Sequence, residues 1–501
     1  MKLKSLAFAL AISAALTGPA LATDLRIGIG EDPDALDPDQ SRTFVGEVIF
    51  AAMCDKLVNI TPDLTIIPQL ATDWNWSGDG TELTMDLRKG VTFQDGTPFN
   101  AQAVVDNIDR SQHLPESRRK SELTSVKSVE AAGEYQVKFN LSAPDATLLA
   151  TLAARSGAMM SPTAFKKDGL DFANHPVCAG PFEFKSRVQQ DRIVLQKYPG
   201  YWDADKIKVD TVTYLPIPDA TVRLANLRSG DLDIIERVAP TDAQSVKDDP
   251  SLTYADAPGI GYQGLTININ NGTGAGNPFA KSNLLRQAFS LSIDRDALNQ
   301  VVFNGAYTPG NQPASPKSPW YDQDLPVPAR DVAKAEALMK QAGVDRVDLQ
   351  LTVPNNPQSM QLAQVIQSMV AESGFKLNIK ATEFATMLAA QTAGDYQADL
   401  VGWSGYVDPD ANLNPFVTCN GGINDSKYCD PALDKLMQAG RASTDPAARK
   451  KAYDAARVIL DRDLPLIYLY HPTWIWAMGK KVTGFVPYPD GLIRLEGVSK
   501  S

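Results

Sequence analysis

The sequence predicts an α/β protein, on three observations. Short strand patterns of alternating or continuous apolar residues recur along the 501 residues, and amphipathic helical patterns lie between them. Gly and Pro, 34 of each, punctuate the boundaries. A hydrophobic content of 44% is ample for buried cores, and the length corresponds to roughly three domains by the usual prior of about 150 residues each.

The elements follow in chain order. Residues 1–22 read as a secretory signal peptide: Lys2 and Lys4, an apolar run from Leu6 to Leu16, then the small-x-small motif Ala20-Leu21-Ala22, with cleavage expected after Ala22. The apolar run is too short to span a bilayer core of roughly 30 Å. DLRIGIG (24–30) alternates as a strand, and ELTMDLRKGVTF (82–93) is a strand broken by a turn at Lys89-Gly90. Asn100 caps the helix AQAVVDNIDRS, which places Val104 and Ile108 on one face. YQVKFNL (135–141) and RIVLQKY (192–198) are strands. LLRQAFSLSIDRDALNQVVFNG (284–305) predicts two helices in tandem, the second capped by Asp294. Helices at 331–343 and 358–374 close on Gly343 and Gly374, and the strand FKLNIKAT follows. Asp430-Pro431 starts another helix, 446–463 is the last, and LIYLY (466–470) is a buried strand.

The net charge is −11, with no basic block or basic-aromatic stripe, so nucleic acid is not an expected partner. Four cysteines in an exported chain favour disulfides. Cys419 and Cys429 flank a turn-rich segment and are paired here, which leaves Cys54 with Cys178. Zinc is disfavoured, because no CxxC spacing occurs and the histidines are only His113, His175 and His471. No metal or cofactor is expected.

Catalytic motifs fail on inspection. GIGYQG (259–264) is a literal GxGxxG, but the strand-like LTINI follows where a dinucleotide site needs a helix. Ser117 and Lys120 match SxxK inside a charged, exposed-looking segment. Gly402-Trp403-Ser404-Gly405 lacks the second glycine of a nucleophile elbow, since Tyr406 stands there. Asp408, Asp410 and Asn412 fit three positions of a calcium loop, but Leu413 and Cys419 occupy the positions that fix its geometry. Pro409 interrupts the strand that would make the two aspartates an acid/base pair. No catalytic residue is assigned.

Several stretches are similar to one family, the periplasmic solute receptors of peptide-type ABC importers. They are IPQLATDWNWSGDGTELTMDLRKGVTFQDGTPFNAQAVVDNIDR (67–110), CAGPFEF (178–184), RIVLQKYPGYW (192–202), IPDATVRLANLRSGDLDI (217–234), FAKSNLLRQAFSLSIDRDAL (279–298), the GW stretch at 402 and IYLYHPTWIWAMGKKVTGF (467–485). The resemblance implies a two-lobed binding protein of the type II, venus-flytrap kind, with an extra α/β domain inserted in lobe I. Its layout would be lobe I at 24–61, 178–263 and 470–501, the extra domain at 62–177 and lobe II at 264–469. The crossings between lobes would fall near 262–264 and 470–471.

The resemblance implies a non-enzymatic periplasmic receptor, a monomer that captures a small peptide or peptide-like solute and delivers it to an inner-membrane ABC permease. The alternatives are an exported peptide hydrolase and a sensory or chaperone-like binder using the same cleft. Family members that hold free peptides place an Asp soon after GW, where this chain has Tyr406. Dipeptide binders carry an Arg after a strand resembling LTVP (351–354), where this chain has Asn355-Asn356-Pro357. A simple zwitterionic dipeptide is therefore disfavoured. Trp403 and Tyr406 lead the candidate ligand contacts, as aromatic walls with polar tips. Arg42, Thr43 and Phe44 follow by resemblance, with Tyr262 and Gln263 at the crossing and Asp408 as a possible anchor for a cation.

Overall fold

The computed structural model describes residues 23–316 and 318–501, so the predicted leader lies outside the described residues. Two large sheets organise the chain. The first has seven strands in the spatial order Leu252–Pro258, Thr473–Gly479, Ile234–Ile235, Asp24–Ile29, Thr211–Pro216, Arg192–Lys197, Phe182–Val188. The second has six: Thr308–Pro309, Leu466–His471, Tyr262–Ile267, Ala398–Trp403, Val347–Pro354, Phe375–Thr382. Asp24–Ile29 runs parallel to both of its neighbours, as does Val347–Pro354.

Each sheet has its own core. Leu25, Ile27, Val212 and Trp476 are buried in the first, and Leu265, Leu351, Phe375 and Ile467 in the second. The chain passes from the first sheet to the second between Pro258 and Tyr262, and returns between His471 and Thr473. The molecule is therefore two lobes joined by two neighbouring strand crossings. A third sheet of four antiparallel strands spans 71–141 and has a separate core, which also takes in Leu57, Val58 and Ile60. Disulfides join Cys54 to Cys178, which bracket that segment in sequence, and Cys419 to Cys429.

The expected caps are present: Asn100 accepts from the Ala103 amide and Asp294 from the Ala297 amide. The helix Phe44–Met53, FVGEVIFAAM, was not legible from periodicity. All of its residues but Ala51 are buried, so it has no polar stripe to set a 3.6-residue rhythm.

Candidate functional site

A cavity of about 210 Å³ lies between the lobes. It sits beyond the carboxyl ends of parallel strands in both sheets, where open α/β sheets place ligands because the chain diverges there. Glu31 follows Asp24–Ile29, and Arg237 follows Ile234–Ile235. From the other lobe, Asn356 follows Val347–Pro354 and Phe384 follows Phe375–Thr382, while Trp403 ends its own strand.

Trp403 forms an aromatic wall. Its ring meets Phe416 edge-on at 4.9 Å, and Phe416 meets Tyr262 at 6.2 Å. The Trp403 Nε1–H donates to Asn412 Oδ1 at 2.9 Å. Asn412 also accepts from the Tyr406 amide and donates to the Tyr406 carbonyl, so one asparagine holds the whole 403–406 turn. Tyr262 pairs with Trp403 across the ladder, and Gln263 with Gly402. A Cβ at Gly402 would stand 2.0 Å from Gln263 Oε1, so the missing side chain makes room for the Gln263 amide. Gly261 at the crossing allows a closer approach still, because its Cβ would meet the Trp403 carbonyl oxygen at 1.9 Å. Burial pushes the Tyr262 hydroxyl pKa well above its usual value.

The expected residues separate into two groups. Arg42, Thr43, Phe44, Tyr262, Gln263 and Trp403 line the cavity. Tyr406 and Asp408 do not. The Tyr406 hydroxyl faces away and accepts from Arg155 Nη1 at 3.0 Å. Asp408 is buried and paired with Arg449 at 2.7 Å, and its Oδ1 accepts from the Asp410 amide. Pro409 turns the chain into a short helical segment here, so Asp408 serves as its N-cap rather than as a cation anchor. Asp410 pairs with Arg441; burial raises its carboxyl pKa to about 6, with Arg441 opposing the rise and Asp408 adding to it.

Two of the lining residues that precede the helix Phe44–Met53 already have protein partners. The Thr43 hydroxyl donates to Asp34 and caps the following helix by accepting from the Gly46 amide. Arg42 crosses to the other lobe. Its Nη1 donates to Thr392 Oγ1 at 2.8 Å and its Nη2 to Gln391 Oε1 at 2.9 Å, on the last turn of the helix Phe384–Ala393, where a cation suits the helix dipole. Arg155 makes a second cross-link, bonding the Thr43 carbonyl, Glu47 and Tyr406.

Asp399, one residue before the cavity-lining Leu400, is fully buried and neither carboxylate oxygen has a hydrogen-bond partner among the described residues. Burial raises its pKa to about 7, with the charge of Arg42 opposing the rise. Sequence reasoning missed Glu31, Arg237, Trp474 and Asn356. Only Trp474 and Asn356 fall in stretches it had singled out.

The family of bacterial extracellular solute-binding proteins, family 5 (middle region), matches residues 65–424. The glutathione-binding protein GsiB of Pectobacterium atrosepticum is 29% identical over 490 residues, covering 95% of this chain and 94% of that protein. Di/tripeptide-binding protein 1 of Pseudomonas aeruginosa is 30% identical over 467 residues, with 87% and 86% coverage. Among solved structures, the binding protein AgaA from A. tumefaciens R10, in complex with agropinic acid, superposes with a TM-score of 0.85 at 28% identity, covering 95% of this chain and 99% of that one. DppA from Helicobacter pylori, in complex with the peptide STSA, superposes at 0.87 with 23% identity, covering 96% and 98%. The chain belongs to the bacterial extracellular solute-binding proteins of family 5, and is a two-lobed binding protein rather than an enzyme.

Proposed function

We propose that the chain is the periplasmic receptor of a peptide-type ABC importer. It captures a small peptide-like solute between its lobes and delivers it to an inner-membrane permease. The observation that carries this reading is the cavity built from strand ends of both sheets. A solute there touches both lobes at once, so it favours the closed arrangement over the open one. In this reading the seven-stranded sheet belongs to lobe I, the six-stranded sheet to lobe II, and the four-stranded sheet to an extra domain of lobe I.

At the two positions where the resemblance puts the charged anchors of free-peptide binders, Tyr406 turns its hydroxyl to Arg155 and Asn356 caps a helix by accepting from the Ser359 amide. Glutathione-like and opine-like solutes are favoured over plain dipeptides in this reading, since GsiB is a glutathione-binding protein and AgaA holds agropinic acid. Titration with glutathione, dipeptides and opines, followed by tryptophan emission and melting temperature, tests the reading. A saturable change with at least one class is expected; no change with any of them contradicts it.

A further inference from the structure

We propose that Arg237 and Glu31 together bind an α-amino acid head group, the carboxylate on Arg237 and the ammonium on Glu31. This rests on the reading of the cleft as the solute site. It narrows the solute to one carrying both charges on a single carbon, as a γ-glutamyl compound does.

The backbone at Arg237 is the first support. Its φ of +49° lies in the left-handed region, which a residue other than glycine adopts only when its surroundings enforce it. The buried Arg223 does so. It donates to the Arg237 carbonyl at 3.0 Å, to the Glu236 carbonyl at 3.3 Å, and to the carbonyls of Ile217 and Pro218. One buried arginine is thus committed to holding another in an unfavourable turn.

The side chain is the second support. The Arg237 guanidinium lies 4.9 Å from the Phe44 ring and 5.8 Å from the Trp474 ring, and these two rings stack at 4.6 Å. Nη1 donates to Glu31 Oε1 at 2.9 Å. Among the described residues Nη2 has no acceptor and Glu31 Oε2 has no donor, and both residues line the cavity. Arg42, the other cation lining it, is committed to Gln391, Thr392 and Asp425.

Charge balance selects the head group. Arg237 and Glu31 carry opposite charges and are already paired at 2.9 Å, so the pair itself is neutral. A lone carboxylate would meet Glu31, and a lone ammonium would meet Arg237. A zwitterion on one carbon satisfies both free atoms with adjacent, charge-assisted hydrogen bonds and adds no net charge.

The test is calorimetric titration of the wild type with glutathione and γ-glutamyl-alanine, each also as its N-acetyl form and its α-carboxamide. Either cap is expected to weaken binding at least tenfold. Glu31→Gln should bring the N-acetyl penalty close to onefold and leave the carboxamide penalty in place. Arg237→Gln should do the converse. Arg237→Gly, which adopts the left-handed turn freely, should lose the carboxamide penalty while melting as a folded protein. Capped forms that bind the wild type as tightly as the parents, or variants that keep both penalties, would overturn the proposal. If Met-Leu binds the wild type and neither parent does, the head-group site is lost and the cleft reading stands. If no solute of either kind binds, and none is released from protein purified from its own periplasm, the cleft reading falls with it.

Discussion

Arg42 Nη2 lies 2.8 Å from Asp425 Oδ2, an ion pair that joins the two lobes, with both side chains nearly buried. It is not aligned as a hydrogen bond; the same nitrogen donates to Gln391 instead. Removing Arg42 leaves the partner carboxylate unpaired in the closed form only, and so favours opening. Arg42→Ala is expected to increase the radius of gyration of the liganded protein in small-angle scattering and to weaken solute binding about tenfold. An unchanged radius and affinity would show that the pair does not hold the lobes together.

Asp408 separates a structural carboxylate from a ligand anchor. Its partner Arg449 bonds it at 2.7 Å in a buried setting. Asp408→Asn should cost about 3 kcal/mol in urea unfolding, as expected for breaking a buried pair, and should change solute affinity less than twofold. A large loss of affinity with little loss of stability would return Asp408 to the site.

His471 predicts an acid-sensitive crossing. Its Nδ1 lies 2.8 Å from the Gly261 carbonyl oxygen, and burial lowers the imidazole pKa to about 4 against the raising effect of that bond. The folded-state value lies below the unfolded value of 6.5, so the unfolded chain binds more protons between the two. The stabilisation is fully present above pH 6.5 and is lost as pH falls through about 4. Between pH 7 and 4.5 the wild type should lose about 2–3 kcal/mol relative to His471→Leu. Parallel pH curves for the two proteins would contradict this.

The Cys54–Cys178 bridge closes a sequence separation of 124 residues. The chain-entropy account assigns such a loop about 4–5 kcal/mol. The double variant Cys54→Ser, Cys178→Ser should unfold at markedly lower urea, whereas the Cys419/Cys429 double variant, with a separation of 10, should lose less. The reverse order would contradict the account.

Local patterns carried much of the fold. Caps such as Asn100 and Asp294, and closing glycines such as Gly343 and Gly374, act within a few residues and show in the chain. The site was less legible, because it forms from strand ends far apart in sequence. Trp403 could be picked out as a wall because aromatic area is useful in any cleft. Tyr406 and Asp408 could not be separated from it, since the turn stapled by Asn412 is a tertiary feature. Arg237 carried no sequence signal at all. Its left-handed turn is imposed by Arg223, and its aromatic platform pairs Phe44 with Trp474 from the opposite end of the chain.

Binding of whatever solute mass spectrometry identifies on the native protein is to be measured in wild type and in Trp403→Ala. One saturable site, no turnover of the solute, and more than tenfold weaker binding in Trp403→Ala are expected. Equal affinity in the two proteins, or conversion of the solute to product, would contradict the receptor reading.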